Sequence, residues 1–288
     1  MEILRYAAFT DTPAGGNPAG IVLDADHLDA AKMQAIAAEI GYAESAFVMD
    51  RSPGAARVRF FAPEAEIPFC GHATIATGVA LAEREGPGRL LLSTPVGEID
   101  VVTHVTEGHL RASLVTVEPY VTGLDGAVRA ELLRRLRLTE DDLSVDLPVR
   151  LSFAGNLHPI VPVRTVTVLR GLDHDADGLR TLMADQGWGA TVAVVHRREP
   201  LVFDARNPFP PGGVREDAAT GSAAAALGAY LRDLGEIAPP VGFTVHQGSD
   251  VGRPSVISVH VPVSGGVTVT GSAVQISANS GISAKGAR

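Results

Sequence analysis

Apolar and polar positions alternate through several runs rich in Val, Ile and Thr. These are VRFFA (58–62), EIDVVTHV (98–105), LRASLVTV (110–117), VRTVTVL (163–169), TVAVVH (191–196) and SVISVHVPV (255–263). Each predicts a β-strand, because branched side chains suit a pleated surface buried on one face. Glu107-Gly108 predicts the turn between two of them. Helical spacing is rarer. In DAAKMQAIAAEIG, Met33, Ile36, Ala37 and Ile40 recur at helical intervals, with Asp29 as N-cap and Gly41 just past the end. AVRAELLRRLRL (127–138) predicts an amphipathic helix whose arginines form a solvated face, and GLRTLMADQG (178–187) predicts a second surface helix.

Two further segments follow another rule. ATIATGVALAERE (73–85) and TGSAAAALGAYLRDLG (220–235) are small and apolar on every side until their last turn. A helix apolar all round is buried, and small side chains let neighbouring backbones approach. Both are expected to be central helices wrapped by sheet. They also begin alike: CGHAT and TGSAA place Gly71 and Gly221, 150 residues apart, ahead of a polar His72 or Ser222. Upstream, GGNPAGIVL (15–23) is echoed by AGNLHPIVPV (154–163), with Gly16-Asn17 matching Gly155-Asn156. Two echoes in the same order point to a duplicated unit of about half the chain.

Composition narrows the function classes. The 288 residues are 45% apolar and 20% charged, enough for one large or two medium folded domains. A net charge of −9 without long basic runs argues against nucleic acid or an anionic membrane as partner. A single cysteine allows no internal disulfide and suits a reducing compartment. Neither a signal-peptide pattern nor a membrane-spanning apolar run is visible, so a soluble cytoplasmic protein is expected.

Familiar catalytic signatures are absent: no GxGxxG, no GxxxxGK[ST], no HExxH, no GxSxG. The histidines show no metal-ligand spacing, and DHDADG (173–178) lacks the distal glutamate of a calcium loop, so helix capping is its expected role. What remains is the pair of helix starts. First-turn amides lack intrahelical acceptors and the helix dipole favours anions there, so such ends can grip a carboxylate. Acidic residues lie nearby. Glu216 and Asp217 precede the second helix, where Asp217 is either an N-cap or a functional group. Glu44, in GYAESAFV, is either a surface-loop residue or a base. Cys70 is open to two readings as well, a thiol acidified at a helix start or a small buried hydrophobe.

Five stretches in order, FTDTPAGGNPAGIVL, GYAESAFV, CGHATIATG, REDAATGSAAAALGAYL and HQGSDVGRPS, resemble the PhzF-like family of phenazine-biosynthesis isomerases, within the diaminopimelate-epimerase-like superfamily. The resemblance runs the full length. It implies an α/β fold of the α+β type: two similar halves, each a curved sheet around a central helix, with the active site between them. The halves are expected at 1–118, rejoined by a C-terminal strand at 272–288, and at 119–271, with central helices near 73–85 and 220–234. Epimerases of the superfamily use one thiol from each helix start. Cys70 stands at the first, and no cysteine stands at the second, which excludes a two-thiol mechanism. PhzF-like isomerases rely on an acidic side chain, matched by Glu44, with His72 and Asp217 in support and Cys70 a bystander. Gly71, Ala73, Thr74, Gly221 and Ser222 match the substrate-binding positions. Glu44, if desolvated between the halves, would have its pKa raised toward neutrality and could move a proton between two carbons. The implied protein is a homodimer acting on a small carboxylated metabolite, with no metal and no cofactor. Two other readings stay open: a non-catalytic binder of anionic metabolites, and an epimerase pairing Cys70 with Asp217.

Overall fold

A computed structural model describes residues 2–277. They divide into two compact units, 2–115 with 270–277, and 116–269. The part of the expected returning segment beyond 277 lies outside the described residues.

In the first unit, strand Ile3–Ala8 pairs antiparallel with Asn17–Val22. Helix α1 (Ala30–Ile40) then carries the chain to Glu44–Ser52, which runs parallel to Asn17–Val22. Ala55–Phe61 follows antiparallel. Helix α2 (Gly71–Glu85) crosses over to Arg89–Thr94, parallel to Ala55–Phe61, and Gly97–Thr106 and His109–Val115 complete the run antiparallel. From the C-terminus, strand Thr268–Gln275 lays its residues 273–275 against Ile3–Ala8.

The second unit repeats this order. Tyr120–Thr122 leads in beside Arg150–Phe153, after α3 (Gly126–Leu136). Arg150–Phe153 pairs antiparallel with Leu157–Pro162. Helices α4 (Val166–Arg170) and α5 (Ala176–Asp185) then bridge to the parallel strand Ala193–Glu199. Val202–Pro208 follows antiparallel. Helix α6 (Gly221–Asp233) crosses to the parallel strand Val241–Gln247, and Ser255–Val261 closes the run antiparallel. Both units therefore share the run antiparallel, parallel, antiparallel, parallel, antiparallel, to which the first adds His109–Val115. A parallel step needs a long crossover, and in each unit the second crossover is the small-residue helix.

Those two helices pack onto their own sheets, α2 on the strands at 3–8, 17–22, 44–52, 97–106 and 109–115, and α6 on those at 120–122, 150–153, 157–162 and 255–261. Every residue from His72 to Ala82 is buried. Gly78 and Gly228, each the eighth residue of its helix, mark the closest approach. A Cβ at Gly78 would meet Val101 at 3.0 Å, and one at Gly228 would meet Val261 at 2.9 Å. Around Trp188, Leu132 and Met183 a separate apolar cluster seats α3 and α5. The arginines of α3 pair with acids, Arg129 with Glu140 and Arg135 with Glu131 and Asp175, as a solvated face should.

One predicted strand is a helix. VRTVTVL reads as strand, but Val166–Arg170 is α4: Thr165 caps it by accepting from the Val168 amide, and Leu169 is buried in the cluster beneath α3 and α5. Burial of one apolar face outweighs the β preference of the branched run. The turn at Glu107-Gly108 forms with positive φ at both residues, 53° and 81°, the signature of a tight hairpin. Asp175, from DHDADG, caps α5 through the Gly178 amide.

Candidate active site

The start of α2 brings three reactive side chains together. Cys70 occupies the N-cap position without capping through its own side chain. Thr74 turns its hydroxyl back onto the Cys70 carbonyl at 2.7 Å, and its amide bonds the same carbonyl. Its side chain is fully buried and serves the helix. The amides left without intrahelical acceptors are those of Gly71, His72 and Ala73. Two strands away in sequence, Glu44 opens its strand instead of sitting in a surface loop, and its side chain is only 15% exposed. Its Oε2 lies 3.3 Å from His72 Nε2, while Cys70 Sγ lies 3.4 Å from Nδ1 of the same ring.

The ring's protonation follows from its neighbours. Burial pushes the His72 pKa from 6.5 down to about 4, so the imidazole is neutral at physiological pH. The Asn17 amide nitrogen, 3.2 Å from Nδ1, can only donate. With Asn17 donating, Nδ1 accepts and Nε2 carries the ring proton, 3.3 Å from Glu44 Oε2. Asn17 reaches this position because Gly16 turns the chain with φ +62°, where a Cβ would lie 2.2 Å from the Ala8 carbonyl oxygen.

The second unit has a comparable arrangement with other chemistry. Asn156, again after a positive-φ glycine, points its amide toward Ser222 Oγ at 3.5 Å. Ser222 is also 3.0 Å from His158 Nε2. The other nitrogen of His158 is 2.8 Å from the Thr191 carbonyl, which can only accept. Nδ1 therefore carries the proton, and burial keeps the ring neutral by lowering its pKa to about 4. Nε2 is left as an acceptor, so the Ser222 hydroxyl donates to it and offers its lone pairs elsewhere. Asn207 locks Thr191 by donating to its Oγ1 at 2.9 Å.

Asp217 does not cap α6; Thr220 holds the N-cap position and donates its hydroxyl to Asp217 Oδ2 at 2.6 Å. Gln247 props this corner, accepting from the Thr220 amide and donating to the Asp217 carbonyl. Ser255 ties the Ala218 and Gln247 carbonyls together. The HQGSDVGRPS stretch thus supports the helix start. Glu216 is structural: it forms a buried two-point pair with Arg206, whose guanidinium also donates to the Leu169 and Arg170 carbonyls.

Sequence reasoning missed Asn17, His158, Thr191, Asn207 and Gln247. Asn17 and His158 were signalled, since both lie within the upstream echo; the others touch the site only through the fold. Side-chain donor atoms of Glu44, Cys70 and His72 lie within 4.8 Å of one another, a proximity made by the fold and not by sequence spacing. A cavity of about 540 Å³ at the far end of α2, lined by Arg51, Glu85 and Arg89 among others, contains none of these residues. Among the described residues no helix is long and apolar enough to cross a membrane.

The family model for phenazine biosynthesis-like proteins, PhzC-PhzF, matches residues 6–279. The chain belongs to the PhzF family. It is 31% identical to the uncharacterized isomerase YddE of Escherichia coli (strain K12), covering 95% of each chain. It is 33% identical to trans-2,3-dihydro-3-hydroxyanthranilate isomerase of Pseudomonas fluorescens, over 87% of this chain and 86% of that one. A crystal structure of a PhzF-family protein from Bacillus anthracis superposes with a TM-score of 0.86 at 28% identity, covering 96% and 98%. A probable proline racemase from Agrobacterium radiobacter K84 shares the fold alone, at 14% identity and a TM-score of 0.65 over 95% and 90% of the two chains. This PhzF-family chain is an isomerase of a small metabolite, built on the diaminopimelate-epimerase-like fold.

Proposed function

We propose that Glu44 is the general base and acid of an isomerisation that needs no cofactor, acting on a small carboxylated metabolite. The observation that carries this reading is the partly buried Glu44 carboxylate, 3.3 Å from Nε2 of the neutral His72 at the start of α2. The carboxylate takes a proton from one carbon, and the electron pair left behind spreads into the conjugated system of the substrate. The protonated Glu44 then returns that proton to a second carbon, so substrate and product are isomers and no oxidant is consumed. His72 lies beside the carboxylate, and the amides of Gly71, His72 and Ala73 stabilise negative charge. In the second unit, the start of α6 at Gly221, Ser222 and Ala223, with Asp217, is assigned to substrate binding. The Pseudomonas relative suggests a cyclic hydroxy amino acid related to dihydro-hydroxyanthranilate. A homodimer in the cytoplasm fits the family resemblance and the single cysteine.

The test is Glu44→Gln, which keeps shape but cannot accept a proton from carbon. Binding of trans-2,3-dihydro-3-hydroxyanthranilate should stay within roughly tenfold of wild type, about 1.4 kcal/mol. Deuterium uptake from solvent should fall at least about a hundredfold, the low end of a general-base contribution. Exchange at the wild-type rate in the variant would make Glu44 structural. Tight binding with no exchange in the wild type would make the protein a binder.

A further inference from the structure

We propose that the cavity at the C-terminal end of α2 is a binding site for a small alkylguanidinium, which takes the place that the Arg232 side chain fills in the second unit. It holds whichever residue moves the proton at the other end of the helix.

The two central helices align without a gap. Gly71, His72 and Gly78 of α2 stand 150 residues before Gly221, Ser222 and Gly228 of α6. One turn past the packing glycine the helices differ, since α2 has Ala82 where α6 has Arg232. Arg232 closes its end of the second unit by donating from Nη1 to the Pro262 and Gly265 carbonyls, both at 3.0 Å. Those carbonyls follow Val261, the residue that a Cβ at Gly228 would meet. In the first unit Thr103 lies beside Gly78 in the same way, 3.5 Å from where its Cβ would be. Ala82 ends there in a methyl group. A cavity of about 540 Å³ opens instead, lined by Gly78, Leu81, Ala82, Glu85, Leu90 and Thr103 among others. Sites for small molecules typically measure about 300–1,000 Å³.

The lining selects a cation on an apolar stem. Leu81, Ala82 and Leu90 are buried and apolar. The Thr103 hydroxyl accepts from the Gly88 amide and donates to the Gly88 carbonyl, so it has no proton left for a ligand. Two guanidinia at the mouth are matched by three carboxylates, Arg51 with Asp24 and Glu85, and Arg89 with Asp100. One negative charge is in excess, and the carboxyl end of the helix adds to it. Glu85 stands where α6 has Gly235, so the first unit has gained a carboxylate at the place where it lacks the cation. Arg51 holds Oε1 of Glu85, which leaves Oε2 to accept from the ligand. An anion would have to draw Arg51 away from two carboxylates.

The probe is ethylguanidinium, the fragment by which an arginine side chain exceeds Ala82, titrated calorimetrically into the full-length protein with neutral ethylurea as control. A ligand of about six heavy atoms should bind one equivalent with a dissociation constant of about 1 mM. Ethylurea should bind at least about tenfold more weakly, because it forms no charge-assisted bond to Glu85. Ala82→Arg should fill the cavity from the helix and abolish binding. Glu85→Gln, at a half-exposed position, should fold and weaken binding about tenfold. Heat that does not saturate in wild type up to about 20 mM, well above the expected dissociation constant, overturns the site. Equal affinity for ethylurea overturns the choice of a cation. Unchanged binding in a folded Ala82→Arg or in Glu85→Gln places the ligand elsewhere and overturns the proposal; if Ala82→Arg does not fold, Glu85→Gln decides.

Discussion

His158 should make the fold acid-sensitive by a calculable amount. Its ring is enclosed, held by the Thr191 carbonyl and Ser222, and burial lowers its pKa from 6.5 to about 4. Between those values the unfolded chain binds a proton here that the folded chain does not. The stabilisation is therefore fully present above pH 6.5 and is lost progressively as pH falls toward 4. Going from about pH 7.5 to about pH 5 should cost about 2 kcal/mol from this ring. With a urea slope of about 3 kcal/mol/M, that lowers the unfolding midpoint by roughly 0.7 M. His158→Gln can still donate to the Thr191 carbonyl but does not titrate. It should begin less stable at neutral pH and then lose about 2 kcal/mol less than wild type on acidification. His72 and His174, also pushed down by burial, contribute with the same sign to both proteins and cancel in the comparison. The measurement is the urea midpoint by circular dichroism at several pH values above 5, where most carboxylates stay ionised. Equal losses in wild type and variant would refute the assignment of a neutral, buried His158.

Cys70→Ala should fold and keep most of its turnover, and alkylating reagents should inactivate wild type slowly because the thiol is buried; loss of all turnover in a folded Cys70→Ala protein would reinstate the thiol as an acid or base. Glu216→Gln should destabilise the second unit by about 3–5 kcal/mol, read from the urea midpoint, because it leaves the Arg206 guanidinium buried without its counter-charge; a shift below about 1 kcal/mol would place this pair with surface ion pairs.

Local chemistry that repeats was legible in the sequence. The cap, the apolar face and the terminating glycine of α1 could be read because all three lie within a few residues. The two central helices announced themselves by small residues on every face. What escaped had its cause elsewhere in the chain. VRTVTVL carries a strand's residues and becomes a helix because a cluster formed by α3, α5 and Trp188 buries Leu169. Glu216 looked like a candidate acid beside Asp217; only the fold shows Arg206 across from it. Cys70 and His72 were visible as neighbours, but Glu44 joins them through sheet pairing, which parallel strands set over long separations. Gly78 and Gly228 were legible and overlooked: they lie 150 residues apart, as Gly71 and Gly221 do, so each helix repeats both its start and its point of closest packing.

That repetition bears on how one scaffold supports different chemistry at corresponding points. In each unit a positive-φ glycine places an asparagine against the second residue of the central helix. In the first unit that residue is His72, with its proton turned toward a carboxylate and a thiol alongside. In the second it is Ser222, whose proton is turned toward a histidine that burial keeps neutral. The backbone frame is common, and the orientation of a single proton differs. A proton facing Glu44 suits a group that gives and takes hydrogen from carbon. A hydroxyl whose proton is already committed to His158 presents only an acceptor, which suits holding an ammonium or hydroxyl group of a ligand and disfavours direct contact with its carboxylate. Under the proposed role of Glu44, proton transfer stays in the first unit, where the chain's one cysteine also lies, and the second helix start offers recognition groups alone.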